Sequence, residues 1–131
     1  MSSSYVRRNV RKWCAEVSAS TGVPFYDTIN VSVTPSDPVW FTVIFVSEMH
    51  EGNFCQPQFI EHGFLNLIFV ARPGMGDKAC LDAVESVVPL LFERGDKSLT
   101  LINYEPVEED SGGTADKDYR MSVAVNYRLS L

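Results

Sequence analysis

Four groups of residues have the chemistry to be a site. The stretch ARPGMGDKAC, residues 71 to 80, places two glycines, an acid and a lysine directly after an apolar run, as a phosphate-cradling loop would. A Walker loop needs GxxxxGK followed by Ser or Thr, so that backbone amides wrap the phosphates, lysine reaches them and the hydroxyl holds magnesium. Here Asp77 follows the second glycine and no hydroxyl follows Lys78, and a GxGxxG fingerprint would require glycine at Ala79. The stretch reads as a strand-to-helix turn built on Pro73 and the glycines, with Asp77 capping the helix at the positive end of its dipole. His50 and His62 could ligate a metal together with Cys55 or Glu61, but their spacing matches no common zinc pattern. Glu105, Glu108, Glu109 and Asp110 could supply an acid and a base, yet they sit beside Gly112 and Gly113 in a segment that reads as a loop, where a solvated or partner-facing surface fits better than held catalytic groups. Arg7, Arg8, Arg11 and Lys12 form two rows of like charge at i and i+4, read as a solvated helix face or as a site for an acidic partner. No GxSxG elbow or HExxH helix is present. The chain is read as non-enzymatic, with no catalytic, cofactor-binding or metal-ligating residue.

The elements that must carry these groups fit one domain, 1–131, of ordinary size and with 45% hydrophobic residues for a core. A formal net charge of -6 argues against non-specific attraction to DNA or anionic membranes. Three cysteines without CxxC spacing suggest neither a disulfide framework nor a zinc site, and reduced, cytosolic synthesis is expected. The start, MSSSYVRRNVRKW, resembles no signal peptide, and the longest apolar runs are well short of a membrane span of about 20 residues, so a soluble chain is expected.

Val6, Val10, Trp13, Cys14 and Val17 recur at helical spacing between Ser4 and Ser20, and Gly22 with Pro24 ends that helix. Ile29, Val31 and Val33 alternate as a short exposed strand would. Val39 to Val46, VWFTVIFV, is apolar on both faces, Ser47 to Phe59 reads as a loop, and Ile60 to Ala71 reads as a second strand. A second helix follows the turn, with Leu81, Val84, Val88 and Leu91 as its stripe, widened by Cys80, Val87 and Leu90. Pro89 predicts a kink or weakening near its end, and Gly95 its close. Leu99 to Tyr104 is a short strand, Glu105 to Asp118 an acidic loop, and Tyr119 to Leu131 the clearest strand. The order predicts an α+β fold: a mostly antiparallel sheet of four to five strands with two helices packed on one face.

Two surfaces are left over. Two helices cover one face of a sheet, so Trp40, Ile44 and Val46, or the opposite row, lack cover, and the last strand could span roughly 40 Å, past its own domain. Both favour self-association, which if head to tail must close as a ring or grow as a filament. The alternative is that Ser47 to Phe59 folds back over the apolar face through Met49, Phe54 and Phe59.

The run VWFTVIFV, then GFLNLIFVARPGMGDKACLDAVESVVPLLF, LTLINYEP, a Gly-Gly loop and YRMSVAVNYRLSL resembles the tail terminator proteins of long-tailed bacteriophages. The resemblance covers most of the chain from Val39 onward and the first helix; Asp118 stands before Tyr119 where that family often has tryptophan. It implies a structural virion protein, made in the host cytoplasm. It would form a homo-oligomeric, six-membered ring on the tail tube protein, stop tube growth and offer a surface to the head-tail connector or neck protein. Genomic DNA would pass through the ring without specific binding, and no membrane would be involved. The resemblance implies docking by the loops around Gly52 and Asn53 and around Gly112 and Gly113; on that reading Phe54, Glu108, Glu109 and Tyr119 are expected at interfaces as well, and Trp40 and Tyr127 in subunit or core packing. The runners-up are another neck or tail completion protein, and a small ligand-binding or enzymatic domain using His62 and the acidic loop.

Overall fold

The computed structural model describes residues 4–27, 37–51, 60–74, 76–104, 108–112 and 119–130. The element order is α1 (Ser4–Thr21), β1 (Val39–Glu51), β2 (Ile60–Ala71), α2 (Gly76–Phe92), β3 (Leu99–Tyr104), β4 (Glu108–Gly112) and β5 (Tyr119–Ser130). The fold is α+β, an antiparallel sheet with both helices on one face, as the sequence predicts.

α1 buries the stripe expected of it, Val6, Val10, Trp13, Cys14 and Val17. Gly22 ends it with a positive φ of 80° and donates its amide hydrogen to the carbonyl of Ser18 at 2.9 Å, the left-handed cap that glycine adopts without a Cβ clash. The chain then runs beside β1. Tyr26 donates its amide to Phe41 O at 3.0 Å and Phe41 donates to Pro24 O at 2.9 Å, a single parallel bridge at Phe25 and Phe41.

β2 and β5 form the centre of the sheet and pair without a slip from Ile60↔Ser130 to Ala71↔Tyr119. All of β5 is therefore held inside its own domain, and the expected overhang does not exist. The strand is long because its partner is equally long. β1 lies on the other side of β2, in register from Val39↔Ala71 to Phe45↔Leu65; it slips at a bulge before Ser47 and continues to Glu51↔Ile60. Ser47 to Glu51 thus belongs to the strand rather than to a loop.

β3 and β4 share the far edge of β5, β3 along its carboxy-terminal half and β4 along its amino-terminal half. The segment read as an acidic loop is in part the strand β4. The register of this edge against β5 slips at two places, between Leu101 and Asn103 in β3 and between Glu109 and Ser111 in β4. Each slip is an extra residue on the outer strand, the local signature of a β-bulge. β3 and β4 are two lengths of one irregular edge.

The core lies between the sheet and the helices. Phe41 and Val43, Leu65, Leu67, Phe69 and Ala71, Leu99 and Leu101, and every second residue of β5 from Tyr119 to Leu129 face α1 and α2. Phe41 stacks on Phe69 with centroids 5.4 Å apart and meets Phe25 at 5.2 Å. α2 buries Cys80, Ala83, Val84, Val87, Val88 and Leu91, whereas Leu81, read as part of the stripe, is 37% exposed. Its true stripe turns about one residue further round the helix. Pro89 does not stop α2, which continues to Phe92. The ring is exposed, as is Glu85, whose carbonyl loses its helical donor to the proline; on that side water can replace it.

Candidate interface surfaces

The stretch from Ala71 to Cys80 is a turn. Arg72, Pro73 and Gly74 are exposed, Gly74 has a φ of 86°, and Asp77 and Lys78 are exposed in the first turn of α2. Asp77 lies within the helix, so its contribution is a negative charge at the amino-terminal end rather than a residue preceding the first turn. Cys80 turns inward, its Sγ 3.6 Å from Phe69 O and 3.7 Å from Tyr119 O. Burial first, and the nearby charge of Asp77 second, push the Cys80 thiol up to about 11, and burial pushes Cys14 up to about 12. Neither is a nucleophile at neutral pH.

His62 is half-buried in β2, opposite Met49 and Arg128, and His50 lies in β1 opposite Glu61 rather than in a loop. Cys55 lies outside the described residues. Among the described residues no three His, Cys, Asp or Glu side chains gather as a metal site would require.

Glu61 is instead part of a buried polar contact. It is fully buried, and the hydroxyl of Tyr127, also fully buried, donates to its Oε2 at 2.6 Å. Tyr127 pairs with Gly63, which carries no side chain on that face, so the phenol can reach the diagonal neighbour Glu61. Strand parity signals this pair, because Glu61 shares its row with Leu65, Leu67 and Phe69, and Tyr127 shares its row with Val123 and Val125. Tyr119 is likewise buried, 4% exposed. Tyr119, expected at an interface, belongs to the core, and Tyr127, expected in subunit or core packing, takes the core place.

Trp40 faces away from the helices and is half-buried, with Tyr26 meeting its ring edge-on at 5.8 Å and 88°. Tyr26 in turn donates its hydroxyl to Asp37 Oδ2. That bond, then desolvation and the charge of Asp37, raise the Tyr26 phenol above its ordinary value. Thr42 and Val70, beside Trp40 on this face, are also buried, so the first part of the row read as lacking cover has some. Further along, Ile44 is 43% exposed and Phe64 and Ile68 are half-buried. Across β2 the face turns polar, with Ser122 and Asn126, whose Nδ2 donates to Asn103 Oδ1 at 2.6 Å. Among the described residues no helix covers this face.

The basic residues of α1 separate into two rows with different employment. Arg7 and Arg11 lie over the Phe45 ring at 5.1 and 5.4 Å from its centroid, and Arg11 Nε is 3.2 Å from Asp27 Oδ2. These guanidiniums fasten α1 to β1 and to the segment beside it, each cation–π contact contributing about 0.5–1 kcal/mol. Arg8 and Lys12 are exposed, and among the described residues neither makes an ion pair. At the opposite edge β4 carries Glu108, Glu109 and Asp110, and β3 exposes Ile102 (51%) and Tyr104 (55%), the latter edge-on to Phe92 at 5.5 Å. Gly112 ends β4 opposite Tyr119. Gly52, Asn53, Phe54 and Gly113 lie outside the described residues, as do Ile29, Val31, Val33 and the fold-back residue Phe59.

A scan against models of known protein families finds no match, and a search of curated proteins finds none either.

Proposed function

We propose that this protein is a tail terminator: a non-enzymatic virion subunit that assembles as a ring on the end of a phage tail tube, stops its growth and presents the joining surface for the head. The observation that carries the reading is a sheet with helices on one face only, whose other face and both edges keep apolar side chains at the surface, Ile44 on one side and Ile102 and Tyr104 on the other. Side chains of that kind on a small acidic protein suit permanent contact with neighbours better than solution as a monomer. The order of elements agrees with the fold that the resemblance implies.

The mechanism is geometric. A ring whose two faces differ can match the tube end with one face and fail to template a further tube subunit with the other. The overall charge of -6 suits a passage through which DNA moves without adhering, since retention of DNA takes an excess of Lys and Arg.

Deleting the gene from the phage that carries it and imaging the lysate by electron microscopy tests the reading. Overlong tubes without heads are expected. Normal tails that fail to join heads would reassign the protein to neck completion, and normal tails on filled heads would overturn a role in the tail altogether.

A further inference from the structure

We infer that residues 22–27 form a strap that keeps the outer edge of β1 from pairing with β1 of a second copy. The inference goes beyond the ring reading and does not depend on it.

β1 is an outer strand of the sheet, with β2 on its inner side. Its first eight residues, VWFTVIFV, are all β-branched or aromatic, without charge, glycine or proline. A segment of that composition at a sheet edge is a template for a further strand. Its best partner is the same strand from another molecule, because the two offer each other identical apolar residues and matching backbone groups about a two-fold axis. That self-complementarity is what identifies the occupant.

The backbone shows where the edge is closed. Phe41 donates its amide hydrogen outward to Pro24 O at 2.9 Å, and its carbonyl accepts from the amide of Tyr26 at 3.0 Å. These two bonds make the single parallel bridge between Phe25 and Phe41. The ladder cannot extend toward Val39, because the next bond in that direction needs an amide hydrogen that Pro24 lacks. By the two-residue repeat of a strand, the backbone groups of Val43 and Phe45 also point outward, and among the described residues no strand pairs with them there.

Side chains therefore do much of the fastening. At the start of the strap Gly22 turns the chain back with a φ of 80°, and Ser18 Oγ donates to Val23 O at 2.7 Å. Further on, the Phe25 ring meets Phe41 at 5.2 Å, and Tyr26 sets its ring edge-on to Trp40 at 5.8 Å and donates its hydroxyl to Asp37. Asp27 Oδ2 pairs with Arg11 Nε at 3.2 Å. Tyr26 and Asp27 are only half-buried, so these fastenings can be removed without opening the core. A second β1 must displace the strap, so its apparent affinity is reduced to the fraction of molecules in which the edge is free.

The test is a fluorescent peptide of residues 39–46, flanked by lysines for solubility, titrated with the purified full chain and read by anisotropy. Tyr26→Ala with Asp27→Ala loosens the strap. This variant is expected to keep the circular dichroism of wild type and to bind the peptide at least tenfold more tightly. The same peptide carrying Val43→Pro loses an amide in the middle of the edge and is expected to bind at least tenfold more weakly. Should the double variant lose its fold, Asp27→Asn removes only the pair with Arg11 and is expected to raise affinity by about twofold to fivefold, the effect of one partly exposed ion pair. Equal binding by wild type and the folded double variant, or no binding by either, would overturn the inference. Binding of the proline peptide as tight as that of the first would overturn it too, since the contact would then not be edge pairing. Rings in electron micrographs of the wild-type chain bear on the ring reading alone.

Discussion

Tyr127→Phe deletes one oxygen from the centre of the fold and leaves the shape of the core unchanged. That oxygen is fully buried and donates to Glu61 Oε2 at 2.6 Å, and Glu61 is fully buried as well. Removing a donor from a buried carboxyl group costs about 1–3 kcal/mol, because water cannot enter to replace it. For a domain of this size that lowers the melting temperature by on the order of 4 °C per kcal/mol, about 4–12 °C in all. Urea denaturation followed by tryptophan fluorescence is the assay, with an unchanged slope showing that the unfolding reaction is the same. Glu61→Leu alone removes the acceptor that lies 2.6 Å from the phenol and is expected to destabilise as well. The double variant removes both ends and is expected to be less destabilised than the two single losses added together, by about 1–2 kcal/mol, since paired polar groups replaced together can be nearly neutral. Stability of Tyr127→Phe within about 0.5 kcal/mol of wild type, or strict additivity in the cycle, would refute the reasoning that this buried hydrogen bond stabilises the fold.

Phe41→Ala removes a fully buried ring that stacks on Phe69 and touches Phe25, and is expected to cost about 3–5 kcal/mol, measured by the same denaturation. Pro89→Ala restores a helical donor at an exposed position in α2 and is expected to stabilise by about 1–3 kcal/mol; a lower denaturation midpoint would show that the proline is required there. Cys14 and Cys80 are fully buried, and a thiol reagent with peptide mapping is expected to label them only as fast as the chain unfolds. Burial raises both thiols from 9.0, to about 12 for Cys14 and about 11 for Cys80. Above pH 9 the unfolded chain therefore releases protons that the folded chain keeps. The stability these thiols contribute is fully present below pH 9 and falls as pH rises toward 11–12, and Cys14→Ala is expected to flatten part of that decline in denaturation curves taken from pH 8 to 11.

The elements that the sequence reveals are those in which one side is buried. α1 and β5 each have an unbroken row of apolar residues at their own period, and both come out with the residues that this row predicts. Ser47 to Glu51, SEMHE, and β4, EEDSG, have no such row, and Asp, Glu, Gly and Ser are poor strand formers. They are strands because β2 and β5 extend alongside them and offer backbone partners, which is information held in other parts of the chain. The bulges add to the difficulty, since each extra residue moves the following side chains to the other face. The spacing misplaces Leu81 for a related reason: Cys80 and Leu81 are neighbours, and only packing decides which of two adjacent apolar residues turns inward. Tyr119 shows the reverse case, for its place in the apolar row of β5 is legible in the sequence and an interface role does not follow from that row.

This contrast between centre and edges separates two kinds of failure. β2 and β5 pair over their whole length without a slip, while β1 slips once and the β3–β4 edge repeatedly against the same centre. A variant at the centre, such as Tyr127→Phe or Phe41→Ala, acts on the fold, so the melting temperature must fall in dilute, unassembled protein. A variant on the outer row of α1, such as Arg8→Glu with Lys12→Glu, changes exposed side chains that carry no core contact, and surface changes of this kind stay within about 0.5 kcal/mol. It is therefore expected to keep the melting temperature of the unassembled protein. A variant of this exposed row that unfolds the monomer would show that these side chains support the fold after all.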